Sequence, residues 1–318
     1  MTFSPDVLSR CWFLAGPTAS GKTEVSLLLA ERIGAEIVSL DSMAIYRGMD
    51  IGTAKPGLDE QKRVRHHLID IADPSEEFSV ADFLRLADSA ATDILSRERI
   101  PLFVGGTGLY LRSILRGISE GPAPDWSIRS ELENSVSQRG PQWLHDHLRS
   151  IDPTSADRLH VNDVRRVIRA IEVFRQTGRP ISEEQSHRPK PVSERPRCVV
   201  WFDPPRDWLY NRINDRVTTM MERGWLEETC RLMERVPPWS RTASQALGYQ
   251  DLVAVAEGKL TLSEAVENIQ TATRQFAKRQ HTWFRNLEEC HALEVVGNES
   301  PKELCGRIEA IAERAAAV

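Results

Sequence analysis

Apolar residues along the chain fall into short unbroken runs, set apart by longer stretches with helical spacing. Residues 11–15 are apolar throughout and run into a Gly-rich loop, which predicts a buried strand. Helical spacing over 23–32 predicts a helix, and 36–40 reads as a second strand. A third is predicted at 101–104, ending in Gly105-Gly106-Thr107-Gly108. A fourth is predicted at 198–202, closed by Asp203-Pro204-Pro205, with a fifth at 291–296. Strands alternating with helices predict a parallel sheet with helices on both faces. Ligands of such sheets sit at the carboxyl ends of the strands. That rule gathers the loop after residue 15, Asp41 and Thr107 at one rim.

The stretch between the third and fourth strands is too long for one crossover. Gly121-Pro122-Ala123-Pro124 opens it and the Pro-rich residues 188–197 close it, so an inserted subdomain is expected. Within it Val164, Val167, Ile168, Ile171 and Phe174 keep one helical face, and Gly178 stops that helix. The expected organisation is a core of residues 1–120 and 198–318, with a mainly helical insert at 121–197.

Composition changes little in this picture. With 318 residues, 41% hydrophobic and 27% charged, the chain is long enough for one large domain or two smaller ones. Its five cysteines form no C-x-x-C pair and read as reduced cytosolic thiols, so a cytoplasmic protein is expected. No run of 18 apolar residues exists, and the first apolar run reads as a strand, not as a signal peptide. A net charge of −5 argues against coating nucleic acid through bulk charge but leaves room for a local basic surface.

Chemistry enters with Gly16-Pro17-Thr18-Ala19-Ser20-Gly21-Lys22-Thr23, a full match to G-x-x-x-x-G-K-[ST] between a strand and a helix. Backbone N–H groups and the helix N-terminus face an anion there, Lys22 adds a charge, and the Thr23 hydroxyl is a ligand for Mg²⁺. The fold class is therefore α/β, a P-loop NTPase-like parallel sheet. ATP is the default ligand of such a loop. Two strand-end carboxylates could serve it, Asp41 and Asp203. Asp203 also reads simply as the polar start of a turn. Asp41 opens the segment "DSMAIYRGMDIGTAKP", where a carboxylate at the rim can take a proton or hold metal through water.

"GPTASGKT", "DSMAIYRGMDIGTAKP", "HHLID", "VGGTGLYL" and "RQFAKRQHTWFR" resemble, in order, the motifs of the tRNA dimethylallyltransferase family. The likeness runs from Gly16 to Arg285. It implies transfer of a dimethylallyl group from its diphosphate to N6 of adenine 37, beside the anticodon, in tRNAs that read codons beginning with U. The loop Gly16–Thr23 would then grip a diphosphate leaving group with Mg²⁺, and Asp41 matches the family's general base. Thr107 matches a position near the substrate base. Arg216 matches an arginine that could steady the departing diphosphate. The implied partners are dimethylallyl diphosphate and a tRNA anticodon stem-loop, with no membrane and a monomeric chain.

Basic residues fit an RNA partner locally. Arg274, Lys278, His281 and Arg285 form one helical stripe, with Arg279 beside it and Ile269, Ala272, Phe276 and Trp283 expected opposite. The insert adds Arg165, Arg166 and Arg169, and Arg129 is carried with them. The family likeness extends RNA contact to Asp41, Ser42, Met43, Ala44 and Thr107, and to Gln245, Gly248 and Tyr249 of "SQALGYQD". Gln245 and Gln250 stand where relatives can be basic, which weakens a phosphate-contact reading there. Arg212 and Arg216 share a helix face that could also be a solvated charged surface. His66, His67 and Asp70 complete no zinc set and read as a strand start or a support for the Asp41 segment. Three other readings stay open: a nucleotide kinase or ATPase using Asp203, prenyl transfer to free AMP or ATP, and a non-catalytic RNA-binding module.

Overall fold

The computed structural model describes residues 2–118, 121–184 and 189–316. Six strands form one sheet: β1 Trp12–Ala15, β2 Ala35–Leu40, β3 His66–His67, β4 Ile100–Gly105, β5 Cys198–Asp203 and β6 His291–Glu294. The order is β3-β2-β4-β1-β5-β6 and every pairing is parallel. β1, β2 and β5 are almost wholly buried and β4 is buried through its middle, which explains why they read as continuous apolar runs and not as alternating ones. β6 keeps only Leu293 buried.

Register makes the rim. Ala15 lies beside Gly105 on one side and Trp201 on the other, while Leu40 also pairs with Gly105. The residues that follow these strand ends, Gly16, Asp41 and Gly106, therefore leave the sheet at one level.

The chain divides into two compact units, one of Gly117–Arg188 and one of Thr2–Arg116 with Pro189–Val318. Residues 189–197 belong to the larger unit, so the insert ends earlier than the Pro-rich pattern predicted; Arg188, where that pattern starts, lies outside the described residues.

In the larger unit the longer helices are α1 Lys22–Ile33, α2 Val80–Ser96 and α3 Gly108–Arg116. The insert carries α4 Trp126–Arg139, α5 Pro141–Ile151 and α6 Val164–Thr177. The larger unit resumes with α7 Arg206–Glu222, α8 Trp225–Met233, α9 Tyr249–Ala256, α10 Leu262–Arg285 and α11 Pro301–Ala316. One core cluster joins Leu14, Leu102, Val200 and Phe202 of the sheet to Leu27 and Leu29 of α1 and to Ile308 of α11. A second joins Tyr46 and Met49 to Trp225, Tyr249 and Ile269. The insert has its own core, in which Val167, Ile168 and Ile171 of α6 meet Leu132, Leu144 and Leu148. Gly178 caps α6 in the left-handed conformation at φ 71°, the stop that its position predicted.

Two buried carboxylates organise these units. Glu36, on β2, accepts from Arg97 Nη2 at 2.8 Å and pairs with His67 Nε2 at 2.7 Å. The His-His pair is thus a short edge strand serving a structural ion cluster. Glu172, on α6, is fully buried. It accepts from Arg129 Nε at 2.8 Å, Arg169 Nη1 at 2.6 Å and the Asp125 amide at 2.7 Å. No helix of the described residues is long and apolar enough to cross a membrane.

Candidate active site

The loop after β1 is shaped by two left-handed residues, Ala19 at φ 62° and Gly21 at φ 90°. Bends of alternating hand turn successive N–H groups toward one concave side, the geometry of an anion nest. Lys22 opens α1, and its ammonium folds back over the loop, donating to Gly16 O at 2.9 Å and Pro17 O at 2.7 Å. Burial pulls its pKa down to about 7; the positive charge of Arg216 adds to this and Asp41 opposes it.

Arg216 lies on α7. Burial lowers its pKa too, Asp41 works the other way, and Arg212 and Arg223 lower it further. Among the described residues its guanidinium has no hydrogen bond and no ion pair. Arg212, one turn earlier, is used differently. Its Nε donates to Ala19 O at 2.9 Å and its head stacks 4.7 Å from the Trp208 ring. Of two arginines on one helix face, one braces the loop and the other stays open beside Lys22.

Asp41 follows β2. Its Oδ1 accepts from the amides of Met43 at 2.8 Å and Ala44 at 3.3 Å. This Asx-type turn fixes the carboxylate. Oδ2 has no hydrogen-bond partner among the described residues. Thr107, after β4, donates its N–H to Leu40 O at 3.1 Å, and its Oγ1 accepts from the Ser42 amide at 3.1 Å. The loop after β4 is thereby tied to the turn that carries Asp41. Gly105 permits this approach, since a Cβ there would sit 2.2 Å from Leu40 O.

The segment after Asp41 is anchored from far along the chain. Glu228, on α8 and 2% exposed, accepts from the amides of Asp50 at 2.9 Å, Ile51 at 2.8 Å and Gly52 at 3.2 Å. The Tyr249 hydroxyl donates to the same carboxylate at 2.7 Å. Lys55 Nζ donates to Tyr46 O at 2.7 Å and to the carboxylates of Asp50 and Asp70 at 2.6 Å each.

Several RNA-contact expectations change here. Tyr249 is wholly buried, and Gly248 and Ala44 are buried too, so these three support the fold from inside. Arg129 and Arg169 are spent on Glu172, whereas Arg165 and Arg166 are exposed and Arg166 pairs with Asp163 at 2.9 Å. On α10 the buried seam is Ala265, Ile269, Ala277, Gln280 and Phe284. Phe276, expected on the apolar side, is 36% exposed under the Arg279 guanidinium. Arg274 reaches Asn214 Oδ1 at 2.6 Å and His281 reaches Asp203 Oδ1 at 2.9 Å. Lys278, Arg279 and Arg285 are exposed. Gln245 is also exposed, and Gln250 turns back to Ser244 O at 2.9 Å.

Sequence reasoning missed two residues that hold the site together, Glu228 and Gln280. Gln280 left a signal: it is polar, yet it keeps the register of Ala277 and Phe284 in the apolar seam of α10.

An all-parallel sheet with a P-loop sequence at its carboxyl rim, two cations and a nearby carboxylate give the architecture of a P-loop-type α/β protein. The IPP transferase family model matches residues 44–287, an Isopentenyl transferase model matches residues 9–74, and the chain belongs to the IPP transferase family. A tRNA dimethylallyltransferase of Symbiobacterium thermophilum is 47% identical over 291 residues, 90% of each chain. That of Desulforudis audaxviator is 44% identical over 93% of this chain and 96% of its own. The solved full-length tRNA isopentenylpyrophosphate transferase of Bacillus halodurans superposes with a TM-score of 0.69 at 40% identity, covering 97% of this chain and 98% of that one. A eukaryotic dimethylallyltransferase solved while acting on tRNA superposes with a TM-score of 0.76 at 27% identity, over 96% of this chain and 79% of that one.

Proposed function

We propose that the protein transfers a dimethylallyl group from dimethylallyl diphosphate to N6 of adenine 37, next to the anticodon, in tRNAs that read codons beginning with U. The observation that carries this reading is the open Arg216 guanidinium beside Lys22 and the P-loop, with Asp41 within electrostatic reach of both. Two cations with no carboxylate bonded to them suit a ligand of high negative charge.

The N6 lone pair attacks C1 of the isoprene, the allylic C–O bond breaks, and its electron pair leaves with the diphosphate. Loop N–H groups, Lys22 and Arg216 stabilise that departing charge, and Asp41 Oδ2 accepts the N6 proton. Thr107 keeps the Asp41 turn in place through Ser42.

For Mg²⁺, the described residues contain no cluster of three His, Cys, Asp or Glu side chains, so no all-protein cage exists among them. The exposed Thr23 hydroxyl at the start of α1 is a hard oxygen ligand that would hold the ion beside the phosphate loop. Held there, Mg²⁺ would supply Lewis-acid stabilisation of the leaving group.

The Asp203 of a kinase-like reading is engaged by His281, which favours prenyl transfer over that alternative. Lys278, Arg279 and Arg285 on the outer face of α10 supply the RNA-facing charge. The protein works as a cytoplasmic monomer. The test incubates purified protein, dimethylallyl diphosphate and Mg²⁺ with an unmodified anticodon stem-loop bearing A36 and A37, and separately with AMP. Mass spectrometry should find the stem-loop heavier by one dimethylallyl group. An unmodified stem-loop, or equal modification of AMP, overturns the reading.

A further inference from the structure

Gln280 is 4% exposed, in the middle of α10, and both ends of its amide are engaged by backbone. Oε1 accepts from the Thr18 amide of the P-loop at 2.9 Å. Nε2 donates to Gly106 O at 2.9 Å, in the loop after β4. A Cβ on Gly106 would fall 2.2 Å from Nε2, so glycine there is what admits the side chain. The next residue, Thr107, accepts from the Ser42 amide, and Asp41 precedes Ser42. One amide thus spans the phosphate loop and the loop that carries the Asp41 turn.

We infer that Gln280 is a positioning residue that sets the separation between the diphosphate loop and the carboxylate that takes the proton. The inference rests on the prenyl-transfer reading above. The chemistry of the amide matters more than its size. One end must accept and the other must donate, because Thr18 presents N–H and Gly106 presents C=O. Leucine fills similar space and does neither. A carboxylate accepts at both ends and faces Gly106 O with a lone pair, whereas a protonated carboxyl accepts at one end and donates at the other.

Gln280→Leu and Gln280→Glu are compared with the natural chain for kcat, for tRNA binding and for melting temperature. For Gln280→Leu, kcat falls by about 100-fold, the loss typical of a misplacement of about 1 Å. Stem-loop affinity stays within about twofold, since the exposed face of α10 is untouched. For Gln280→Glu, kcat relative to the natural chain recovers about tenfold between about pH 8 and about pH 6, as the buried carboxyl takes up its proton. Taking the ratio at each pH removes the contributions of Lys22, Arg216, Asp41 and His281, which both chains share. Recovery in acid supports the inference even if Gln280→Leu folds poorly.

Natural kcat in both variants overturns it. So does a Gln280→Glu ratio that is flat with pH and falls only in step with melting temperature, which marks a purely structural role. A natural chain that modifies no stem-loop sinks the prenyl-transfer reading instead. Inorganic diphosphate binding, measured by calorimetry, still reads the loop in that case: weaker binding by Gln280→Leu than by the natural chain upholds the loop-setting role, and equal binding refutes it.

Discussion

Arg216 at the strand-end rim and the Arg129–Arg169 pair of the insert stand in opposite electrostatic circumstances. Arg216 is partly buried with no hydrogen bond or ion pair among the described residues, while Arg129 and Arg169 close on one fully buried carboxylate, Glu172. Burying a cation without a partner costs free energy, so its place must be justified by something other than the fold. A cation already matched by a buried carboxylate belongs to the folding of its own unit. Charge type alone does not separate the proposed ligand site from the structural cluster; the local state of pairing is what differs between them.

The sharpest way to break this contrast is to remove each charge in turn. Arg216→Leu and Lys22→Ala should each reduce dimethylallyl transfer by about 1,000-fold, with melting temperature unchanged or raised. A melting temperature that drops with activity would show Arg216 to be structural. Glu172→Gln should do the reverse. It leaves two guanidiniums facing a neutral amide and destabilises the insert by about 3 kcal/mol in denaturant unfolding, while inorganic diphosphate binding stays the same.

Acidity sharpens the same point. Burial alone would raise the Glu172 pKa, but the hydrogen bonds from Arg129 and Arg169 outweigh it and hold the carboxyl below the usual range. Its contribution is therefore complete above the ordinary carboxylate value near 4.5 and is lost as pH falls below that through the depressed one. Acid unfolding should lose this component in Glu172→Gln. At the rim the dependence runs the other way along the scale. Lys22 has its pKa drawn down to about 7, so the fraction of ammonium in the ligand-free protein shrinks as pH rises through that value. Diphosphate affinity should weaken by up to about tenfold per pH unit above it. Lys22→Arg should flatten the curve. The smallest effect belongs to the outer face of α10. Lys278→Ala should weaken stem-loop binding about threefold and reduce the salt dependence by roughly one unit of slope, seen in binding titrations at several salt concentrations.

How far the sequence carried follows from sequence distance. β1, the P-loop and α1 are contiguous, so an apolar run, a glycine pattern and a helical period locate them to within a residue. α6 and its Gly178 stop were legible for the same reason. β3 is two residues long, so His66 and His67 could be read as a strand start but show no periodicity of their own. The apolar face of α10 was misjudged at Phe276 because a 24-residue helix packs against different neighbours along its length. The fate of Arg129, Arg169 and Tyr249 was invisible, since each depends on a buried carboxylate whose burial no periodicity reveals. The strand-end rule already placed the loop with Lys22 and the Asp41 carboxylate at one rim, whereas Arg216, on a distant helix, was joined to them by the family likeness alone.

Glu228 and Gln280 also say when the site comes into being. Gly52 waits for a carboxylate 176 residues downstream, and the Thr18 amide waits for an acceptor 262 residues downstream. At ribosomal rates of about 5–20 residues per second the second delay is on the order of tens of seconds. During that time a nascent chain can own a finished strand, loop and helix and still have a loop amide without its acceptor. Both contacts therefore close only late in synthesis, that of Glu228 when α8 is made and that of Gln280 when α10 is made.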